Sequence, residues 1–139
     1  MLVLAASLMM AASPLEDAAD IQRAIEGFVA AYNAGNLDAV VAYYDEHLVK
    51  IRQGAAPESR ADVARRLAEV FKAFSGRLEV QNDEVLVAGD LAITRGTLRV
   101  FLTPRAGGDV QRIERRYLEV WRRHNGRWVV FRSLDNSAS

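Results

Sequence analysis

The chain has 139 residues, half of them hydrophobic, enough for one domain with its own core and too few for two ordinary domains. Its 18 basic and 18 acidic side chains cancel, so no global field draws it to nucleic acid or to an anionic membrane. Cysteine is absent, which excludes disulfides, thiolate metal sites and cysteine nucleophiles.

Residues 1–13, MLVLAASLMMAAS, are apolar and rich in small side chains, like the hydrophobic region of a signal peptide. No basic residue precedes that run, and it is too short to span a bilayer. Two expectations stay open: a leader that exports the protein to the periplasm or outside, or an ordered N-terminal extension of a cytoplasmic protein. The domain itself is expected over residues 14–137.

Ser13-Pro14-Leu15-Glu16 has the form of a capping box with proline at the first helical position. Ile21, Ile25, Phe28, Val29 and Tyr32 then recur at helical spacing, and Gly35 supplies a left-handed stop. Asn36 caps a second, short helix with Leu37, Val40, Val41 and Tyr44 inward, and a strand is expected at about Leu48–Arg52. Ser59 and Asp62 open a third helix whose Val63, Leu67, Val70, Phe71 and Phe74 form a stripe ending at Gly76.

From Arg77 the period changes to two. Leu78 and Val80 alternate in one phase and Val85 and Val87 in the other, so Asn82-Asp83 marks a bulge. Gly89-Asp90 turns the chain into a strand over 91–103, 104–109 form a loop, and Val110–Arg123 pairs with Arg127–Asp135. The fold class is therefore α+β: a curved, largely antiparallel sheet with three N-terminal helices.

Asn125-Gly126 is a strong hairpin signal, because a type I′ turn needs positive φ at both central residues. A two-residue turn sets His124 opposite Arg127. Strict alternation then puts Arg116, Leu118, Val120, Phe131, Ser133 and Asp135 on one face, and Tyr117, Trp121, Val130 and Leu134 on the other. The first face is expected to point to the core, with Arg116 paired to Asp135, since an unpaired buried arginine costs several kcal/mol, roughly 3–5. The second face is expected to be an outer apolar patch that a second copy of the chain covers.

The strings AYNAGNLDAVVAYY, GDLAITRGTL and YLEVWRRHNGRW…RSLDNS resemble the nuclear transport factor 2-like superfamily, specifically its SnoaL-like and ketosteroid-isomerase-like bacterial members. The resemblance runs from about Ile21 to Ser137. It implies a cone: a bent sheet around helices, a pocket at the open end, and dimerisation through the outer sheet face. Combined with the hairpin faces, it puts Arg95, Thr97, Arg116, Leu118, Phe131, Ser133 and Asp135 toward the pocket, with Phe28, Tyr32 and Tyr44 lining it from the helical side. The steroid isomerases of this superfamily use a tyrosine, an aspartate base and a protonated aspartate, and alignment puts those positions on Phe28, Arg52 and Leu118. Neither Phe28 nor Leu118 can exchange a proton and Arg52 stays protonated, so that mechanism does not carry over.

Arg95 and Arg116, with Asp135 as the near acid, point to a partly apolar ligand bearing an anion; the alternative for Arg95 is a structural ion pair with Asp135. His47 and His124 have no second histidine at ligand spacing, so no metal is expected. No phosphate-binding motif surrounds Gly107-Gly108, and no cofactor is expected. The tryptophans are read as packing rather than as a platform for nucleic acid. The functions left open are a small-molecule pocket protein, a cofactor-independent isomerase, cyclase or lyase, and a non-catalytic dimeric assembly module.

Overall fold

A computed structural model describes residues 13–138; the leader-like stretch up to Ala12 lies outside them. Helix α1 spans Pro14–Asn33, α2 Leu37–Val41 and α3 Arg60–Ala73; the strands are β1 Tyr44–Arg52, β2 Phe74–Ala88, β3 Leu91–Pro104, β4 Gln111–His124 and β5 Arg127–Ser137. Both expected capping boxes form: Ser13 with Glu16, and Ser59 with Asp62. Asn36 caps α2 by accepting from the Ala39 amide, 3.1 Å away. No described helix is long and apolar enough to cross a membrane.

The five strands form one sheet in the order β1-β5-β4-β3-β2, antiparallel except for the parallel β1–β5 pair. This is the α+β class expected, a curved open sheet with the helices near the N-terminus. The bulge at Asn82-Asp83 is present as a register shift between Asn82 and Glu84. Helix α3 ends earlier than Gly76: Phe74 is already extended, and Gly76 belongs to β2. A Cβ at Gly76 would meet the Tyr32 ring at 2.9 Å, so the glycine is there for close approach of helix and strand.

The helical stripes pack on one sheet face. Ile21, Ile25, Tyr32, Val63 and Leu67 are buried together with Leu78, Trp121 and Val130. Asn33 locks the end of α1 to β2, its Oδ1 accepting from the Leu78 amide at 2.6 Å. The arginine-rich hairpin reaches back to the acidic N-terminal third: Arg122 pairs with Asp45 at 2.7 Å and Arg123 with Asp17 at 2.7 Å.

The Asn125-Gly126 turn has the expected left-handed φ values, 52° and 72°. His124↔Arg127 and Trp121↔Val130 follow the expected register, but beyond them a bulge intervenes and Val120 pairs with Arg132. Phe131 is the extra residue, its ring carrying the Arg132 guanidinium at 3.7 Å.

The hairpin is turned over relative to the sequence expectation. Trp121, Tyr117 and Val130 are buried in the core, whereas Leu118 and Leu134 are exposed on the outer face. Both phases of β4 carry apolar side chains, and the larger aromatics take the inside, where more area leaves water. The bulge then rotates the end of β5 by one residue. Ser133 and Asp135 therefore point inward as expected, because inverted faces and an unforeseen bulge cancel there.

Candidate functional site

Read across the sheet, the inner face is a set of rows. Lys50, Ser133, Glu119 and Thr94 are successive partners on β1, β5, β4 and β3. The next row is Arg52, Asp135, Tyr117, Gly96 and Asn82, and beyond it Ser137 pairs with Arg115 and Arg115 with Leu98. Between these rows and the helices lies a cavity of about 210 Å³. It is smaller than the roughly 300–1,000 Å³ of drug-sized sites, so it suits a small ligand.

Its walls are apolar, with Phe28, Leu67, Val80, Leu98 and Val100 among them. One end is polar and deep. Lys50 Nζ lies 3.1 Å from Asp135 Oδ2 and donates to Ser133 Oγ at 3.1 Å, and the two charged side chains are only 11% and 9% exposed. Burial works against the Lys50 ammonium, but the acidic groups of Tyr44, Glu119 and Asp135 outweigh it and raise the lysine pKa. Lys50 therefore stays charged, with a third N–H to give.

Glu119 lines the same end. Among the described residues its carboxyl has no hydrogen-bond or ion-pair partner, although Lys50 and Asp135 are close enough to influence it. Burial raises its pKa to about 6, with Lys50 pulling down and Asp135 pushing up. The carboxyl is thus poised between its two forms near neutral pH, as acid–base catalysis requires. Tyr44 is buried beside it, and burial raises its pKa, which keeps its hydroxyl a donor.

Tyr117 reaches across the sheet to donate to Asn82 Oδ1 at 2.7 Å. Its path runs over Gly96, where a Cβ would meet the tyrosine hydroxyl at 2.9 Å and collide with the Gln81 carbonyl oxygen. Trp121 donates from Nε1 to Thr94 Oγ1 at 2.9 Å, satisfying a buried indole.

Toward the less buried part of the cavity stand three arginines. Arg52 and Arg66 are 29% and 31% exposed and share Glu58, at 2.6 and 2.7 Å. Glu58 is brought there by a backbone bridge to Lys50, and although burial works against its charge, Arg66 and Arg52 hold its pKa below the ordinary range. The third, Arg115, lines the cavity and has no ion-pair or side-chain hydrogen-bond partner among the described residues.

Of the residues proposed from sequence, Asp135, Phe28, Tyr32 and Tyr44 line the cavity, and Ser133 sits behind it holding Lys50. The others lie elsewhere. Arg95 is on the outer face, bonded to Glu84 at 2.6 Å rather than to Asp135. Arg116 is exposed and donates to the Ser137 carbonyl oxygen at 3.4 Å. Thr97 shares that outer row with it, Leu118 is exposed, and Phe131 is stacked by arginines at the bulge. All five follow the inverted phase. Lys50, Glu119, Arg52, Arg66 and Arg115 escaped sequence reading as site residues; the available signal was Lys50 set between Val49 and Ile51 and in phase with Leu48. Among the described residues no cluster is suited to a metal ion.

Several solved structures share this architecture. A conserved protein from Planctomyces limnophilus superposes with a TM-score of 0.83 at 18% identity, covering 86% of this chain and 94% of its own. A ketosteroid isomerase-like protein from Erwinia carotovora atroseptica gives 0.76 at 24% identity, covering 89% and 98%. A candidate dehydratase of the NTF2-like family from Streptomyces avermitilis gives 0.75 at 18% identity, covering 91% and 99%. No curated protein matches the chain at a significant level. The profile of the SnoaL-like domain matches residues 25–131, and with most of its length so matched the chain belongs to the SnoaL-like domain family.

Proposed function

We propose that the cavity binds a small, partly apolar, anionic molecule and that Glu119 moves a proton on it, an isomerase- or dehydratase-type reaction run by the chain's own acids and bases. The observation that carries this reading is the Glu119 carboxyl: it faces an apolar cavity, has no partner among the described residues, and is balanced near pH 6. In such a step the Glu119 carboxylate takes a proton from a carbon next to a carbonyl, and the electron pair moves onto the carbonyl oxygen. The free N–H of Lys50 and the Tyr44 hydroxyl are the donors available to hold that oxygen. The ketosteroid isomerase-like and candidate dehydratase neighbours make proton transfer a natural expectation for the family.

The test is deuterium exchange at the α-carbon of a panel of small cyclic and aryl ketones in deuterium oxide, followed by proton NMR. The parent protein is expected to exchange at least one ketone above the buffer rate, and Glu119→Gln to lose that activity while remaining folded. No exchange by the parent, or equal exchange by Glu119→Gln, overturns the assignment.

A second reading, a dimeric assembly module, draws on the outer face. Ile51, Leu134 and Leu118 are neighbours in one row there, with Ile93 and Leu86 paired in the next, and all five are exposed. A soluble protein rarely leaves such a stripe uncovered, and a second copy of the same stripe is the proposed cover. The expected patch of Tyr117, Trp121, Val130 and Leu134 retains only Leu134, the others being buried. Light scattering should give a dimer mass for the parent and a monomer mass for a folded Leu118→Glu, Ile93→Lys variant; a monomeric parent removes this reading.

A further inference from the structure

The cavity's charges do not balance. Lys50, Arg52, Arg66 and Arg115 face it or its opening, against Asp135, Glu58 and Glu119. With Glu119 ionised, four cations meet three carboxylates and one positive charge is left over. The positive charge gathers at the arginine end, where two guanidiniums share one carboxylate and a third has none among the described residues. Lys50 is taken by Asp135, and Arg52 and Arg66 hold Glu58 between them, whereas Arg115 has no acid among the described residues. Its sequence neighbour Glu114 points to the opposite face, bonded to Arg99 at 3.4 Å and Arg112 at 3.2 Å, so it cannot serve.

Arg115 is also placed at one end of the ladder that holds the acid–base group. On β4 the inner face reads Ile113, Arg115, Tyr117, Glu119 and Trp121, so Arg115 and Glu119 are separated by about 13 Å of strand. Tyr117 stands between them with its hydroxyl engaged by Asn82, and the side chains next to Arg115 on the neighbouring strands, Leu98, Val80 and Val100, are apolar. Arg52 lies one row nearer to Glu119 than Arg115 does and two strands away, with small Ser137 in the intervening position of the Arg115 row. Long guanidinium side chains from both strands can converge over that gap.

We infer that Arg115, supported by Arg52 and Arg66, is an anion-recognition site at the outer end of the cavity, and that the ligand is an elongated monocarboxylate seated with its carboxylate at Arg115 and its apolar body directed toward Glu119. The inference rests on the cavity being a ligand site, and gives that site a substrate class and an orientation. A planar carboxylate suits an unpaired guanidinium, which can hold it through two parallel N–H donors. Two such bonds in a partly dry site outweigh the loss of hydration, whereas a neutral amide of the same shape gains little.

The measurement is isothermal titration calorimetry of the full chain with hexanoate and benzoate, and with hexanamide and benzamide as neutral isosteres. The acids are expected to bind at least about tenfold tighter than the amides, the factor that one charge-assisted contact supplies. Arg115→Gln should cancel that preference, Arg115→Lys should retain part of it, and the outer-face variant Arg95→Gln should bind like the parent; circular dichroism establishes that each is folded. Amides binding as well as acids, or Arg115→Gln keeping the full preference, overturns the anion site while leaving the pocket standing. If neither acid nor amide binds below millimolar, the pocket reading falls and the anion site with it. Glu119→Gln separates the two roles, since acid binding should persist in a variant that has lost proton exchange.

Discussion

The two faces of the sheet use the same residue types to opposite effect. On the outer face Arg95 meets Glu84 and Arg99 meets Glu114 in half-exposed pairs that water already screens. On the inner face Lys50 and Asp135 are paired at about one-tenth exposure, and Glu119 is left without a partner among the described residues. Charge on the outside is decoration for solubility; charge on the inside is held at a cost in stability that a soluble fold alone does not demand. That difference, more than any single residue, is what supports placing the proposed site on the inner face.

Truncation of the core should separate the faces most widely. Trp121→Ala is expected to lose about 3–5 kcal/mol in a urea melt, as large buried aromatics do, whereas Leu118→Ala on the other side of the same strand should stay within about 1 kcal/mol. Comparable losses for both would mean that the faces are not distinct. Next comes the buried pair. Lys50→Met strands Asp135 in the interior and should cost about 3–5 kcal/mol, while Arg95→Met removes a surface pair worth no more than about 1 kcal/mol.

Glu119→Gln should move stability the other way. The folded-state pKa of Glu119 is about 6, above the ordinary 4.5, so its favourable contribution is full below pH 4.5 and is lost as pH rises through about 6. The glutamine variant is spared that loss. It should match the parent near pH 4 and exceed it by about 2 kcal/mol at pH 8, a gain obtained by deleting the proposed catalytic group. A variant less stable than the parent at pH 8 would show that Glu119 is satisfied in the fold rather than strained by it.

Much of this architecture was legible. Capping boxes at Ser13 and Ser59, the cap at Asn36, the bulge at Asn82-Asp83 and the turn at Asn125-Gly126 are local events written in a few residues each, and local sequence reports them. The side of the sheet that faces the helices was not legible, because β4 alternates apolar side chains in both phases: Leu118 and Val120 in one, Tyr117 and Trp121 in the other. A single flip carried Arg95, Thr97, Arg116, Leu118 and Phe131 to the outside. The bulge at Phe131 has no glycine or turn residue to announce it, and so the correct inward direction of Ser133 and Asp135 followed from two displacements that compensate. Lys50 and Glu119 were missed for a related reason. Each sits between apolar neighbours on a strand, and only the rows across the sheet put them on either side of Ser133.

The most direct test of the inner-face account is the ionisation of Glu119 itself, followed through its side-chain carboxyl carbon by NMR between pH 3 and 9, with Glu119→Gln providing the assignment. The account predicts a midpoint near 6, and an upward displacement when Lys50 is replaced by methionine, since Lys50 is the cation that pulls it down. A midpoint at 4.5 or below, unmoved by that replacement, would place the carboxyl in water or in an undetected ion pair and would contradict the proposed chemistry.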